Sequence, residues 1–213
     1  MEKIQEEQKM KLYLIRHGET DYNKMKRNQG QIDIPLNEYG RELARKTREG
    51  LAEVPFDLCL CSPLSRARET AEIILEGRDI PIITDERLIE ISFGRYEGRC
   101  WNPDTWDEEM PRDFQCFFTE PGRYEAPDDG ETLEHLEERT GEFLQEICHK
   151  KEYQNHTILV STHGGALASM LANIKKLPKE NFWGDGCSHN CGVTILDVRD
   201  GVPVILAEDR IYY

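Results

Sequence analysis

Leu14-Ile15-Arg16-His17-Gly18-Glu19-Thr20 puts an arginine and a histidine at the point where an apolar strand runs out. The preceding Lys11-Leu12-Tyr13-Leu14-Ile15 is short, apolar and rich in strand formers. Arg16 and His17 are therefore expected to project from its carboxyl end into a crevice, where open α/β sheets hold their ligands. A guanidinium beside an imidazole suits an anionic group such as a phosphate. Alone the pair says little, because an Arg-His at a strand end is often only salt-bridged or solvated.

A second apolar run, His156 to Ser161, ends in Thr162-His163-Gly164-Gly165 and leads into the helical pattern Ala166-Leu167-Ala168-Ser169-Met170-Leu171. Two strands thus deliver a histidine to one edge. A third, Asp57 to Cys61, is followed by Ser62-Pro63-Leu64-Ser65-Arg66-Ala67-Arg68-Glu69-Thr70-Ala71. There Ser62 is expected to cap a helix whose first position is Pro63. Arg66 would lie in the first turn of that helix, where free backbone donors and the positive dipole end could hold a phosphate with it. Arg68 faces elsewhere and is expected to pair with Glu72 at i+4.

Working outward, strands near 11–16, 57–61, 81–84, 156–161, 192–198 and 202–207 alternate with helical patterns near 37–52, 63–76, 132–151 and 164–175. The alternation predicts an α/β fold, a three-layer α/β/α sandwich on a six-stranded sheet. Arg199-Asp200-Gly201 reads as a hairpin turn joining the last two strands, so the sheet is expected to be mixed, though mostly parallel. One domain over 1–213 suffices, and its 38% hydrophobic content can fill a core.

Arg16-His17-Gly18-Glu19-Thr20 with Asn23, Gln29-Gly30 and Asp33 to Gly40 resembles the opening signature of the histidine phosphatase superfamily, the phosphoglycerate mutase-like family. Ser62-Pro63-Leu64-Ser65-Arg66-Ala67 with Thr70-Ala71 is similar to its second signature. Leu88-Ile89-Glu90-Ile91-Ser92-Phe93-Gly94-Arg95-Tyr96-Glu97-Gly98 is similar to its third, and Thr162-His163-Gly164-Gly165 to its fourth. The resemblance implies that His17 becomes phosphorylated, that Arg16, Arg66 and His163 surround the phosphoryl group, and that Glu90 is the proton donor. It also implies substrate contacts from Asn23, Gln29, Gly30 and Gly164, and no metal or organic cofactor. Phosphoryl transfer asks for such a set: an in-line nucleophile and fixed positive charge on the equatorial oxygens. Taken singly, His163 could cap a turn, Glu90 could be a solvated acid beside Arg87 and Asn23 a turn residue. Four signatures in order outweigh those readings.

A formal net charge of -14 argues against nucleic-acid and anionic-membrane partners, which call for a basic surface. It also repels a phosphate ester at long range, leaving its capture to local arginines. Residues 1–10, MEKIQEEQKM, form a polar extension with no apolar core, neither signal peptide nor anchor. No later stretch has the length of a membrane helix. Seven cysteines without a secretory signal fit a cytoplasmic protein. Cys59 and Cys61 alternate on a strand and are expected to face the core. Cys187-Ser188-His189-Asn190-Cys191 lacks a second ligand pair at finger-like spacing, so a strand entry is preferred to a metal site. No heptad or apolar stripe fixes an oligomeric state; a dimer is compatible but unargued.

Between Gly98 and Glu131 lies a stretch bearing Trp101, Trp106, Phe114, Phe117, Phe118 and Tyr124. Residues 99–131 are expected to form a small cap insertion, most of whose aromatics pack it down while others meet the apolar or ring-bearing part of a phosphate ester. Gly130-Glu131-Thr132, resembling another family run, is expected to bring polar groups near the pocket. A mutase must retain a doubly phosphorylated intermediate, and the family's glycolytic mutases resemble one another in a longer, more basic insertion. Here residues 99–127 hold only Arg99, Arg112 and Arg123 against Asp104, Asp107, Glu108, Glu109, Asp113, Glu120 and Glu125. Hydrolysis of a small-molecule phosphomonoester is therefore favoured over phosphoglycerate mutase activity. A phospho-ligand binding protein without catalysis is the third reading, disfavoured because all five core residues are present.

Overall fold

In the computed structural model, residues 9–102, 107–108 and 110–213 are described, with 112 and 113 as backbone only. Six strands form one sheet in the order β3-β2-β4-β1-β5-β6. They are β1 Lys9–Arg16, β2 Leu58–Cys61, β3 Ile82–Thr84, β4 Thr157–Thr162, β5 Val193–Arg199 and β6 Val202–Arg210. β3, β2, β4 and β1 pair in parallel, whereas β5 is antiparallel to both β1 and β6. The helices are α1 Asp21–Lys24, α2 Glu38–Gly50, α3 Ser65–Ile74, α4 Cys116–Thr119, α5 Leu133–His149 and α6 Gly164–Lys175. The mixed, mostly parallel sheet expected from the sequence is present, with element ends displaced by a few residues.

Strand alternation sorts the core into two faces. Leu12, Leu14, Leu58, Leu60, Ile158 and Val160 turn one way, onto Phe143, Leu144 and Ile147 of α5 and Leu167, Met170 and Leu171 of α6. Tyr13, Ile15, Cys59, Cys61 and Leu159 turn the other way, onto Leu43 and Ala44 of α2 and Ala67, Ala71 and Ile74 of α3. The result is three layers, with Cys59 and Cys61 in the core. The β5–β6 hairpin turns through Asp200 (φ 49°) and Gly201 (φ 80°). Positive φ at both central residues is what a two-residue type I′ turn requires.

Two local expectations need correction. The polar extension does not reach residue 10: Lys9 and Met10 already belong to β1, and Met10 is buried in the core. Pairing with Val198 and Arg199 outweighs the charged flank. Nor does Ser62 cap α3, which begins at Ser65 after an uncapped Leu64. Its free N–H is met from a distant loop, where Asp33 Oδ1 accepts from Ser65 N at 2.8 Å and from Ser65 Oγ at 2.7 Å. Arg68 does pair with Glu72, at 3.1 Å.

Candidate active site

The register of β1 against β4 aligns Arg16 with Thr162, so the next residues, His17 and His163, leave the sheet side by side. His17 N donates to Thr162 O at 2.9 Å, and the two imidazole centroids lie 5.1 Å apart. His17 Nδ1 lies 2.7 Å from Gly18 O. A carbonyl can only accept, so Nδ1 carries the proton and Nε2 keeps its lone pair. Arg66 Nε donates to that nitrogen at 3.3 Å. Burial, then the Arg66 and Arg16 guanidinium charges, hold the His17 imidazole well below the usual histidine range, against the opposing Gly18 bond.

Arg66 sits in the first turn of α3, fully buried, and its fork is fixed by backbone carbonyls. Nη1 donates to Ile32 O at 2.9 Å and Nη2 to Gly30 O at 2.7 Å. Gly30 is thus not at the substrate surface as expected; it lies under Arg66. A Cβ there would stand 2.4 Å from Ile91 O, so only glycine allows the approach. Burial lowers the Arg66 pKa to about 10, which still leaves it cationic near neutral pH. His163, also fully buried, has Nε2 2.7 Å from Ser62 Oγ, the partner that the serine holds in place of a helix cap. Burial, then Arg66, keep His163 well below the usual range. Arg16 Nη1 donates to Ser188 O at 2.5 Å and to Cys187 Sγ at 3.3 Å.

Glu90 lies on an irregular loop, is 7% exposed, and its carboxylate occupies the amino end of α6. Oε2 accepts from Gly165 N and Oε1 from Ala166 N, both at 2.9 Å, and Oε1 also from Ile91 N at 2.9 Å. Two of these donors are first-turn N–H groups, which have no partner within the helix itself. A Cβ at Gly165 would stand 2.7 Å from Oε1, so glycine makes the seat.

A cavity of about 490 Å³ opens above these residues, lined by Arg16, His17, Glu90, Asn23, Gln29 and Gly164 among the expected positions. Arg66 and His163 are not among its lining residues; both are fully buried beside His17, Arg66 on its Nε2 side. Asn23 closes a capping box with Thr20 at the start of α1. Gln29 accepts from Thr20 Oγ1 through Oε1. Among the described residues, buried side-chain atoms without a partner include Arg16 Nε, Gln29 Nε2 and His163 Nδ1. All three belong to expected site residues.

Sequence reasoning missed Asn190, whose Nδ2 donates to His17 O at 2.9 Å, and the wall residues Phe93 and Trp183. Asn190 lies in the stretch weighed as a metal motif. There Cys191 is buried, and His189 Nδ1 pairs with Asp209 at 2.6 Å, a pairing that chain separation conceals. Among the described residues no three His, Cys, Asp or Glu side chains are placed to hold a metal ion. Of the aromatics of 99–131, Trp101, Phe117 and Phe118 line the cavity, whereas Phe114 and Tyr124 are core. Trp106 lies outside the described residues. The described cap arginines Arg99 and Arg123 pair with Asp107 and Glu120.

Fold and site together define an α/β/α protein with an arginine- and histidine-lined pocket at the carboxyl edge of its parallel strands. The pattern of the histidine phosphatase superfamily (branch 1) matches residues 12–209. Phosphoserine phosphatase 1 of Hydrogenobacter thermophilus is 30% identical over 197 residues, covering 92% of this chain and 90% of that protein. The adenosylcobalamin/alpha-ribazole phosphatase of Salmonella typhimurium is 32% identical over 192 residues, covering 90% of this chain and 92% of that one. Bacillus stearothermophilus YhfR superposes with a TM-score of 0.86 at 36% identity, over 95% of this chain and 98% of that one. The chain belongs to the histidine phosphatase superfamily, branch 1, and is a phosphomonoesterase. Among the described residues no helix is long and apolar enough to cross a membrane.

Proposed function

We propose that the enzyme hydrolyses a small-molecule phosphomonoester through a phosphohistidine on His17. The carrying observation is the tautomer: Nδ1 is committed to Gly18 O, and the Nε2 lone pair faces Arg66. Nε2 attacks phosphorus, the N–P bond forms, and the ester P–O bond breaks. Glu90 gives its proton to the departing oxygen. It then takes a proton from the water that attacks phosphorus, the N–P bond breaks, and inorganic phosphate leaves. Arg16, Arg66 and His163 bear the equatorial charge at Nε2. A phosphoryl oxygen would satisfy Arg16 Nε, a buried atom without a partner on a residue that lines the cavity.

The leaving group rests against Trp101, Phe117, Phe118 and Trp183, with residues 99–131 as the cap. Stacking of Phe118 with Trp183 (6.3 Å, 16°) makes a flat wall suited to an apolar or ring-bearing alcohol. The seven cysteines, none placed in a disulfide among the described residues, support a reducing compartment such as the cytoplasm.

The test is phosphate release from a panel of alkyl and aryl phosphomonoesters and both phosphoglycerates, for wild type beside His17→Ala. Release that the mutation lowers by about 1,000-fold or more is expected, with acid-labile phosphohistidine trapped only in wild type. Interconversion of the phosphoglycerates without release would move the protein to the mutases. Release that survives the mutation would remove His17 as nucleophile.

A further inference from the structure

Glu90 is held in a segment with almost no regular structure of its own. Between the helical turn ending at Leu88 and the one beginning at Gly94, the backbone makes no strand or helix. Buried backbone groups must nevertheless find partners, so whatever supplies those partners sets where Glu90 stands. Gln31 Nε2 donates to Glu90 O at 3.1 Å, and the partners on either side of Glu90 come from a different part of the chain. Arg139, on α5, donates from Nη1 to Arg87 O and to Ile89 O, both at 2.7 Å. The same guanidinium grips Glu131, Nε to Oε1 at 2.7 Å and Nη2 to Oε2 at 2.9 Å. Glu131 in turn accepts from Ser92 N through Oε2 at 3.2 Å, and its own backbone N donates to Ser92 O at 2.8 Å. Neither residue lines the cavity.

The pair is well enclosed, with side chains 7% and 11% exposed for Glu131 and Arg139. Burial alone would push the Glu131 carboxyl up, but the Arg139 fork and His135 hold it below the usual range, so it stays an anion matched to the cation. The contacts clamp the chain at Ile89 and at Ser92, on either side of Glu90. On its far side Glu90 is seated by Gly165 N and Ala166 N. Its carboxylate therefore hangs between α5, through this bolt, and α6.

We infer that Glu131 and Arg139 are positioning residues that set the reach of the Glu90 carboxyl toward the leaving oxygen, without touching substrate themselves. The inference rests on Glu90 being the acid of the proposed reaction. Proton transfer in the transition state needs the donor within hydrogen-bond reach of the oxygen, and displacement by about 1 Å forfeits most of the benefit. A lysine at 139 would keep the charge but lose the fork that reaches two carbonyls and a carboxylate at once.

The experiment compares kcat/KM for two esters of opposite demand, 4-nitrophenyl phosphate, whose weakly basic phenolate leaves without a proton, and phenethyl phosphate, whose strongly basic alkoxide needs one. Wild type, Glu90→Gln, Glu131→Gln and Arg139→Lys are assayed below their unfolding temperatures. Glu90→Gln is expected to lose about 100-fold on the alkyl ester and less than about threefold on the aryl ester, and both pair variants to follow the same selectivity at about 10-fold or more. Two independent variants guard against one that fails to fold. Selective loss in Glu90→Gln with equal loss on both esters, or none, in the pair variants overturns the inference and leaves the reaction standing. No selectivity in Glu90→Gln, or no turnover in wild type, overturns the proposed acid and the inference with it.

Discussion

His17 and His163 stand neutral among arginines, and that arrangement has a cost in acid. Both imidazoles are held well below the ordinary value of 6.5, first by burial and then by Arg66. As pH falls, the unfolded chain takes up these two protons before the folded one does, so stability present above about pH 6.5 is lost progressively below it. Stability is therefore expected to fall steadily between pH 7 and pH 5. Urea unfolding across that range checks the direction, and His163→Gln should make the pH slope shallower. An unchanged slope in the variant would mean that His163 titrates normally. The choice between ring nitrogens could not be read from the sequence, because it depends on a carbonyl turning toward Nδ1 in the folded loop.

At the level of elements, the site depends on where strands and helices end. β1 and β4 are neighbours in register, which brings two histidines far apart in the chain to 5.1 Å. α3 presents Arg66 in its first turn, and the cap that starts this helix comes from Asp33. Ser62 was the local candidate by composition, yet its hydroxyl is drawn to His163. Asp33→Ala is expected to lower stability by about 1 kcal/mol, the usual worth of a helix cap, read from the urea midpoint. Because Arg66 follows Ser65 directly, kcat/KM should fall as well, and Asp33→Asn should retain most of both.

Over the whole molecule, the net charge of -14 surrounds a site that must attract a dianion. The attracting cations are buried or at the cavity, where salt screens them weakly, whereas the repelling carboxylates are mostly at the surface, where it screens them well. Raising ionic strength from about 10 to 200 mM is therefore expected to raise kcat/KM for a phosphomonoester about two- to threefold, mainly through KM. A fall would mean that exposed Arg27 at the cavity edge dominates capture. The sheet divides the apolar core in two, and a third cluster joins Ile91 and Phe93 beside Glu90 to Phe114, Phe117 and Phe182. The acid loop and the aromatic wall are thus one packed unit.

The layer architecture, the strand and helix order and the placing of Arg16, His17, Arg66 and His163 at one sheet edge follow from the sequence itself, because periodicity and turn chemistry are local properties of the chain, whereas Glu90 is pointed to only by the family resemblance. Tertiary structure alone decided the rest, since those features are contacts between distant residues. It turned His17 Nδ1 onto Gly18 O, leaving Nε2 its lone pair, and sank Gly30 beneath Arg66. It gave Ser62 to His163 and the α3 cap to Asp33, and brought Trp183 and Asn190 to the cavity. It also bolted the Glu90 loop to Arg139, 49 positions away, through a bond no local pattern encodes.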